Sequence, residues 1–512
     1  MSRLGTSNDS ISARQRQDDI VFRELLSLPR VVLLLCFGSM INRAGTMVIP
    51  FLAIYLADEL KTGEAFATLT LSAFGLGSIA AQLIGGSLAD RIGRRPVLLL
   101  AFGSSAAILP LLAEVRNPYL LMVGIFLFAI VAETYRPATH AMIADVTPPE
   151  KRSDAFGLMY VAVNLGFAIA AGVGGLLAES SFRLLFWIDA ATCGSFGLLL
   201  LLTVPETRRA GEPDDGSIKA QDNAVEEPRN GALPSESDAA RPTPGRLAAL
   251  LDLAAYRRIV SHGDFIVFCA ANVLLAILFM QSVGALPLSM TRVGLGKSDF
   301  GQVVMLNGLM ICLLQLGITK LVVPRRRSRM LIAASLLVGF GFFLNAPATL
   351  PWHFAISIVV WTIGEMMQAP LVFSVASTFA PAELRGRYMG FLSMSFSIAT
   401  VVGPATGGLL LERLGPFGVW GGCLAVGIGA ALLFARIAGA IDAENAEERA
   451  ERERREREAG SSDSDAATIA RSQADRGLSA SFLPNETQAS GSDSESLRSQ
   501  FPQKIASISA DE

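Results

Sequence analysis

Charge is what this chain has least of. Only 17% of its 512 residues are Asp, Glu, Lys or Arg, whereas a soluble domain carries about 25%. The deficit is deeper than the average suggests, because the charges gather in the two tails and in one central stretch, 205–258. With a formal net charge of -3 and no basic face, nucleic acid is not an expected partner. The five cysteines, Cys36, Cys193, Cys269, Cys312 and Cys423, stand singly inside apolar runs with no CxxC spacing. That pattern excludes the common zinc and dithiol motifs and leaves them as small packing residues. No glycine-rich Walker loop is present, so direct drive by ATP is excluded as well. No nucleophile–base pair or metal-ligand spacing falls within the apolar segments, so neither an enzyme nor a metal or other cofactor is expected. Residues 1–27 are polar and lack the apolar core and small-residue cleavage site of a signal peptide, so the first apolar segment should stay in the membrane.

Apolar sequence is abundant instead: 51% of residues are hydrophobic and the mean hydropathy is +0.45. A membrane-spanning helix needs about 20 mostly apolar residues. Such segments lie near 31–55, 66–88, 96–115, 118–143, 154–178 and 184–204, then near 264–290, 300–322, 329–348, 353–379, 388–411 and 416–438. The expected fold is an all-α polytopic membrane protein, with twelve transmembrane helices in two pseudo-symmetric six-helix bundles. The bundles are 28–204 and 261–440. A cytoplasmic N-terminal tail, 1–27, precedes them, and a linker, 205–260, too rich in Pro, Gly, Asp, Glu and Ser to bury a core, joins them. A charged and Ser-rich tail, 441–512, is expected to be disordered. Its start, AEERAERERREREAG, suits a solvated helix with Glu–Arg pairs three and four apart.

Basic residues cluster in alternate loops: Arg91, Arg94 and Arg95; Lys151 and Arg152; Arg325, Arg326 and Arg327; Arg385 and Arg387. The other loops hold single charges such as Lys61, Arg116 and Arg183. By the positive-inside rule both termini and the linker face the cytoplasm of a bacterial cell membrane.

The two halves repeat. Shifted by 233 residues, Gly75 falls on Gly308, Gln82 on Gln315 and Pro137 on Pro370. Pro148, Glu150 and Arg152 fall on Pro381, Glu383 and Arg385, while Gly157, Gly174, Gly175 and Glu179 fall on Gly390, Gly407, Gly408 and Glu412. Internal repeats mark many secondary transporters, whose substrate site lies between the repeats near the bilayer midplane.

Two motifs stand on this frame. GGSLADRIGRRP, residues 85–96, places Gly86, Asp90, Arg91, Gly93 and Arg94 in the loop after the second segment. It resembles the G-x-x-x-D-R-x-G-R-R signature of the major facilitator superfamily. The resemblance implies alternating access and a cytoplasmic gating network with an acid at the end of the fourth helix, here Asp145. The blander reading is positive-inside topology with a tight turn. The second motif runs from Gly390 to Gly408 and contains Gly403, Pro404, Gly407 and Gly408. It resembles the G-x8-G-x3-GP-x2-GG ribbon of drug antiporters, with Ala399 for one glycine. In that family the ribbon belongs on the fifth helix, where this chain has Gly157, Gly166, Gly174 and Gly175 but Ala170 and Ala171 in place of Gly-Pro. A smooth glycine ribbon permits close helix contact, so a packing role and a coupling role both stand. The family's usual arginine on the fourth helix is replaced by Ile125.

Ionisable side chains at membrane depth mark pathways or proton relays. Arg43 lies roughly 18 Å into the first segment, and Glu133 roughly 15 Å from the cytoplasmic end of the fourth. The resemblance implies that the first, fourth, seventh and tenth helices line the central cavity. Unusual polar residues fall on those four: Asn42 and Arg43, Glu133 and Arg136, Asn272 and Gln281, Glu365 and Gln368. Asn164, on the fifth, is a further candidate for the proton and substrate pathway. Glu133 and Arg136 share a helix face and can pair, with Arg43 as an alternative partner. One reading is a static ion pair. The other is that Glu133 takes a proton when substrate claims its arginine, since removal from water favours a neutral carboxyl. Glu365 is the second proton candidate. Asp189 is expected as a cap or packing contact near the outer surface, and His140 as a bystander.

The function expected is secondary active transport by alternating access, as proton-coupled export of amphipathic small molecules in the manner of multidrug efflux. The partners are a small-molecule substrate, protons and membrane lipid, and the resemblance implies a monomer. Proton-coupled uptake or export of a peptide, sugar or metabolite is the alternative, since DAFGLMYVAVNLG resembles proton-dependent oligopeptide transporters. A transporter-like membrane sensor is the alternative of another class.

Overall fold

The structure, a computed structural model, describes residues 28–148, 151–206, 253–381 and 384–443. The N-terminal tail, residues 207–252 of the linker and residues 444–512 of the C-terminal tail lie outside them. Helices account for every regular element among the described residues: α1 (Arg30–Gly45), α2 (Val48–Ile54), α3 (Glu64–Ile92), α4 (Arg94–Ala113), α5 (Pro118–Ala132), α6 (Tyr135–Val146), α7 (Arg152–Ser180) and α8 (Phe182–Thr203). After the linker come α9 (Leu253–Ser261), α10 (Gly263–Met280), α11 (Ala285–Arg292), α12 (Lys297–Val322), α13 (Arg327–Phe343), α14 (Pro351–Phe379) and α15 (Arg385–Arg436). A π-helical turn, Tyr55–Glu59, extends α2.

Among the described residues ten segments are long and apolar enough to cross a membrane, against the twelve expected. The difference has two sources. The helix α13 has only 17 residues. The last two expected spans run end to end within α15 as two helices that meet at Gly415, whose φ of 68° and ψ of -169° interrupt the helical path, so they register as one long segment. The short helix α9 also begins inside the stretch expected to be linker.

Proline placement explains the breaks. A helical proline cannot donate to the carbonyl four residues earlier and clashes with it. The path of α1 into α2 parts at Thr46, whose ψ is 66°, four residues before Pro50. That of α5 into α6 parts at Glu133–Thr134, where Glu133 is four residues before Pro137. That of α10 into α11 parts over residues 281–284, which include Val283, four before Pro287. The same logic applies to Pro370 in α14, yet that helix continues. There the carbonyl freed at Met366 accepts from Gln315 Nε2 at 3.1 Å, so a neighbouring helix supplies the missing donor. Expected spans 31–55, 118–143 and 264–290 are therefore each two helices meeting in mid-path.

Close approaches fix the packing. A methyl group on Gly45 would meet Thr192 Oγ1 at 1.8 Å, which locks α1 against α8. Across the two halves α7 crosses α12, where a Cβ on Gly308 would meet the Asn164 carbonyl at 2.8 Å, and α3 crosses α15, where one on Gly408 would meet Thr68 Oγ1 at 1.8 Å. In the second half Trp361, Phe342 and Trp420 stack at ring separations of 5.1 and 6.2 Å.

Candidate functional site

The proline break at Glu133 puts its carboxylate at the end of α5, where α6 bends away. Glu133 is 8% exposed. Arg136 reaches back one turn and pairs with it at 2.5 Å, while its own side chain is 43% exposed. The pairing expected from their spacing is present. A cavity of about 40 Å³ opens beside Glu133, lined by Asn42, Arg43, Thr46, Ser105, Asp189 and Cys193 on an apolar background of Phe74, Phe102 and Phe128. The share of one liquid water is about 30 Å³, so the space suits water or an ion rather than a drug-sized molecule.

Arg43 enters this cavity from α1 with its Nε buried and unpartnered. Asn42 turns to the sixth segment, donating from Nδ2 to Cys193 Sγ at 3.2 Å. The Cys193 thiol in turn lies 3.7 Å from Asp189 Oδ1. Asp189 is 2% exposed, and the Arg43 guanidinium and the Val48 backbone N–H face it. The expectation of a peripheral cap is thus corrected. The close contact of Gly45 with Thr192 draws α8 against the break in the first path, and this buries Asp189 beside Arg43.

The second half carries its own polar cluster. Asn307 of α12 donates from Nδ2 to Glu365 Oε2 at 2.8 Å and to Thr362 Oγ1 at 3.0 Å. Glu365 stands one residue from Met366, the position that the 233-residue repeat assigns to Glu133. Gln368 donates to Asn272 Oδ1 at 3.0 Å, bridging α14 and α10. Gln281, in the break between α10 and α11, donates to the Gly403 carbonyl at 2.8 Å. Asn164 donates to the Tyr160 carbonyl of its own helix at 2.8 Å. His140 packs edge-on against Phe156 and is not among the residues that line the cavity.

At the end of the bundle where α3 passes into α4, Arg94 pairs with Asp145 at 3.2 Å, the partner expected from the motif. Arg91 is exposed at the end of α3. The burial of Gly86 and the side chain of Asp90 lie outside what is described. Gly93 has φ 102°, a conformation that suits glycine alone. Sequence reading overlooked Glu206, just past α8, which accepts from the Arg94 and Arg95 backbone N–H groups at 3.1 Å each. This carboxylate caps the start of α4 and fastens the basic turn to the end of the first half.

The opposite end is tied across the two halves. Arg292 of α11 grips Glu64 of α3 through two hydrogen bonds, 2.5 and 2.6 Å. Lys297 lies 3.6 Å from Glu59. The Ala65 N–H donates to Glu412 at 2.9 Å, and the Ser298 N–H donates to Glu179 at 3.0 Å. Glu179 and Glu412 are repeat counterparts, so the same residue type closes both crossings. Of the glycine ribbons, Gly175 approaches the Lys297 carbonyl and Gly408 approaches Thr68 across the halves, whereas Gly403 and Gly407 pack on Met280 and Gln281 within the second half. Gly166 and Gly174 pack within the first half, on Met40 and Phe51. Gly157 and Gly390, expected in the same ribbons, face open space, because they lie at the basic end beyond the helix crossings.

Comparison with known proteins places the chain in context. The model for the Major Facilitator Superfamily matches residues 35–391 and 326–485. A Na(+), Li(+), K(+)/H(+) antiporter of Planococcus maritimus is 29% identical over 384 residues, covering 71% of this chain and 85% of that protein. The quinolone resistance protein NorA of Staphylococcus aureus is 30% identical over 156 residues, 30% of this chain and 39% of NorA. Among solved structures, a POT family transporter in complex with a thioalcohol-conjugated peptide superposes with a TM-score of 0.62 at 16% identity, covering 82% of this chain and 99% of that one. The nucleoside transporter NupG superposes with a TM-score of 0.60 at 16% identity, covering 80% and 100%. These likenesses show the fold alone.

Proposed function

The chain belongs to the Major Facilitator Superfamily, and from that premise we propose that it is a proton-coupled antiporter exporting amphipathic small molecules. It is a multi-pass membrane transporter rather than an enzyme. The observation that carries the proposal is the buried Glu133–Arg136 pair, set where Pro137 breaks the helix and opening onto a polar cavity that also receives Arg43. A carboxylate buried at mid-path needs a cation or a proton. Substrate or a moving helix that draws the arginines away leaves Glu133 to take a proton. Return of an arginine expels it. Glu365, held by an amide rather than a cation, is the second proton-binding group, in the other half.

The orientation proposed places the basic end, with Arg91, Arg94 and Arg95, in the cytoplasm of a bacterial cell. On that reading the ties at Arg292–Glu64 and Lys297–Glu59 close the outer face, so the described arrangement faces inward. Similarity to a cation/proton antiporter over most of the chain supports antiport. Similarity to NorA over less than a third of the chain supports a drug-like solute. A monovalent cation is the second solute reading, favoured by the first of these relatives and by a cavity of water-sized volume.

The test is solute-driven proton movement in inside-out vesicles, with ethidium and with Na⁺ as separate probes. Export by antiport moves protons out of the vesicle as the solute enters it, whereas a symporter carries protons into the vesicle together with the entering solute. Glu133→Gln is expected to abolish solute accumulation driven by the gradient while solute exchange stays measurable. Accumulation that survives in this variant removes Glu133 as the carrier.

A further inference from the structure

We propose that Asp189 is a second proton-binding carboxyl of the first half, sharing Arg43 with Glu133 across the cavity. The inference rests on the proton-coupled reading above and adds to it a residue and a route. The ionisable groups around this space come from three of the paths that line it. The first path brings Arg43, the path of α5 and α6 brings Glu133 and Tyr135, and α8 brings Asp189 and Cys193. From α3 and α4 come only Phe74, Phe102 and the hydroxyl of Ser105. Arg136 acts on the cavity through Glu133, from a half-exposed position outside it.

The bonds divide these charges unequally. Glu133 already holds a guanidinium, whereas Asp189 has a thiol at 3.7 Å, which is a weak donor, and the neutral Val48 backbone N–H. An ionised carboxylate has room for about four donors. Asp189 is 2% exposed, so water from bulk does not make up the shortfall. Such a group is neutralised either by a proton or by a cation brought up to it. Arg43 is that cation. It shares the cavity, faces Asp189, and has a buried Nε with no partner. Asn42, the residue before Arg43, is tied to the Cys193–Asp189 pair, so a shift of α1 at its Thr46 break moves Arg43 relative to both carboxyls.

The cycle balances without any co-reactant. A proton arriving from water binds one Asp189 oxygen while Arg43 leans to Glu133. When Arg43 returns, the O–H bond breaks, its electron pair stays on the carboxylate, and the proton leaves through the cavity to water on the other face. A static cap differs in one respect. It holds Asp189 ionised at every working pH, with no proton to lose.

Two measurements on the full-length protein decide between them. Infrared spectra in lipid, recorded as pH rises from 6 to 9, read the C=O stretch of protonated carboxyls. Proteoliposomes read proton movement driven by ethidium or Na⁺. The wild type is expected to lose a carboxylic-acid band that is missing throughout in Asp189→Asn, and the variant's coupled proton movement is expected to fall about a hundredfold. Identical bands in the two proteins overturn the proposal, and so does proton movement within about twofold of wild type, whatever the bands show. If Asp189→Asn does not fold, Asp189→Glu replaces it, and must shift the band and keep coupling. A wild type that moves no proton with either probe contradicts the antiport reading, and the infrared result alone then decides whether Asp189 holds a proton.

Discussion

Glu133 and Arg43 occupy the position where a transporter of this kind has most to lose from a single substitution. Replacing Glu133 by Gln keeps the shape and removes the charge, so the expected outcome is a coupling defect with little change in thermal stability. Replacing Arg136 by Ala leaves Glu133 buried without its cation, which costs about 3–5 kcal/mol when one partner of a buried pair is lost. Because Arg136 is 43% exposed, solvent reduces that cost and a drop in melting temperature of a few degrees is the expected reading. Depth along an apolar segment made Glu133, Arg43 and Glu365 visible in the sequence, since each carries charge where lipid surrounds the path. Asp189 stands only eight residues into α8, and counting residues put it near a surface. What buries it is the approach of α1 at Gly45, a contact between segments far apart in sequence. Glu206 escaped for the same reason: its meaning lies in the two N–H groups of a turn more than a hundred residues earlier.

Helices in this chain are defined as much by their interruptions as by their lengths. Hydropathy located the apolar segments, but it does not register a break inside one. The prolines were in view, and position i−4 marks where each break falls. Whether a break opens depends on what catches the freed carbonyl. Gln315 catches that of Met366, and α14 stays whole; the Glu133 carbonyl accepts instead from the Arg136 N–H three residues on, at 3.3 Å, and the path bends. Pro137→Ala restores the missing N–H and is expected to straighten the path of α5 into α6. The expected result is unchanged or higher thermal stability with transport reduced at least about tenfold, measured as ethidium efflux from proteoliposomes. Gly408→Val tests the opposite kind of site. Its side chain would press on Thr68 where α15 crosses α3. An overpacked contact costs about 1–3 kcal/mol, so a lowered melting temperature accompanies the loss of transport.

At the scale of the whole molecule, the two repeated halves have diverged while keeping their crossing points. Glu179 and Glu412 still cap the same crossings, while the Gly-Asp part of the basic loop remains in the first half and the Gly-Pro ribbon in the second. Repeat, loop and ribbon were all legible as sequence. The closure between Glu64 and Arg292 was not, because neither residue belongs to a motif and their partnership exists only when the halves meet. That pair is partly exposed, with side-chain accessibilities of 33% for Arg292 and 18% for Glu64. It contributes about 1 kcal/mol, enough to shift a two-state population roughly fivefold. Arg292→Gln is therefore expected to populate a state opened at that end, seen as a longer distance between spin labels at Tyr119 and Leu414, which are exposed and lie in opposite halves.

The central claim is that solute and proton cross in opposite directions through one machine whose charge-bearing step is at Glu133. It is tested most directly by adding ethidium, and separately Na⁺, to inside-out vesicles holding a pH-sensitive dye. Alkalinisation of an acidified lumen on addition of solute, absent with Glu133→Gln, is the result expected. Solute uptake into the vesicles with no change in lumenal pH contradicts it.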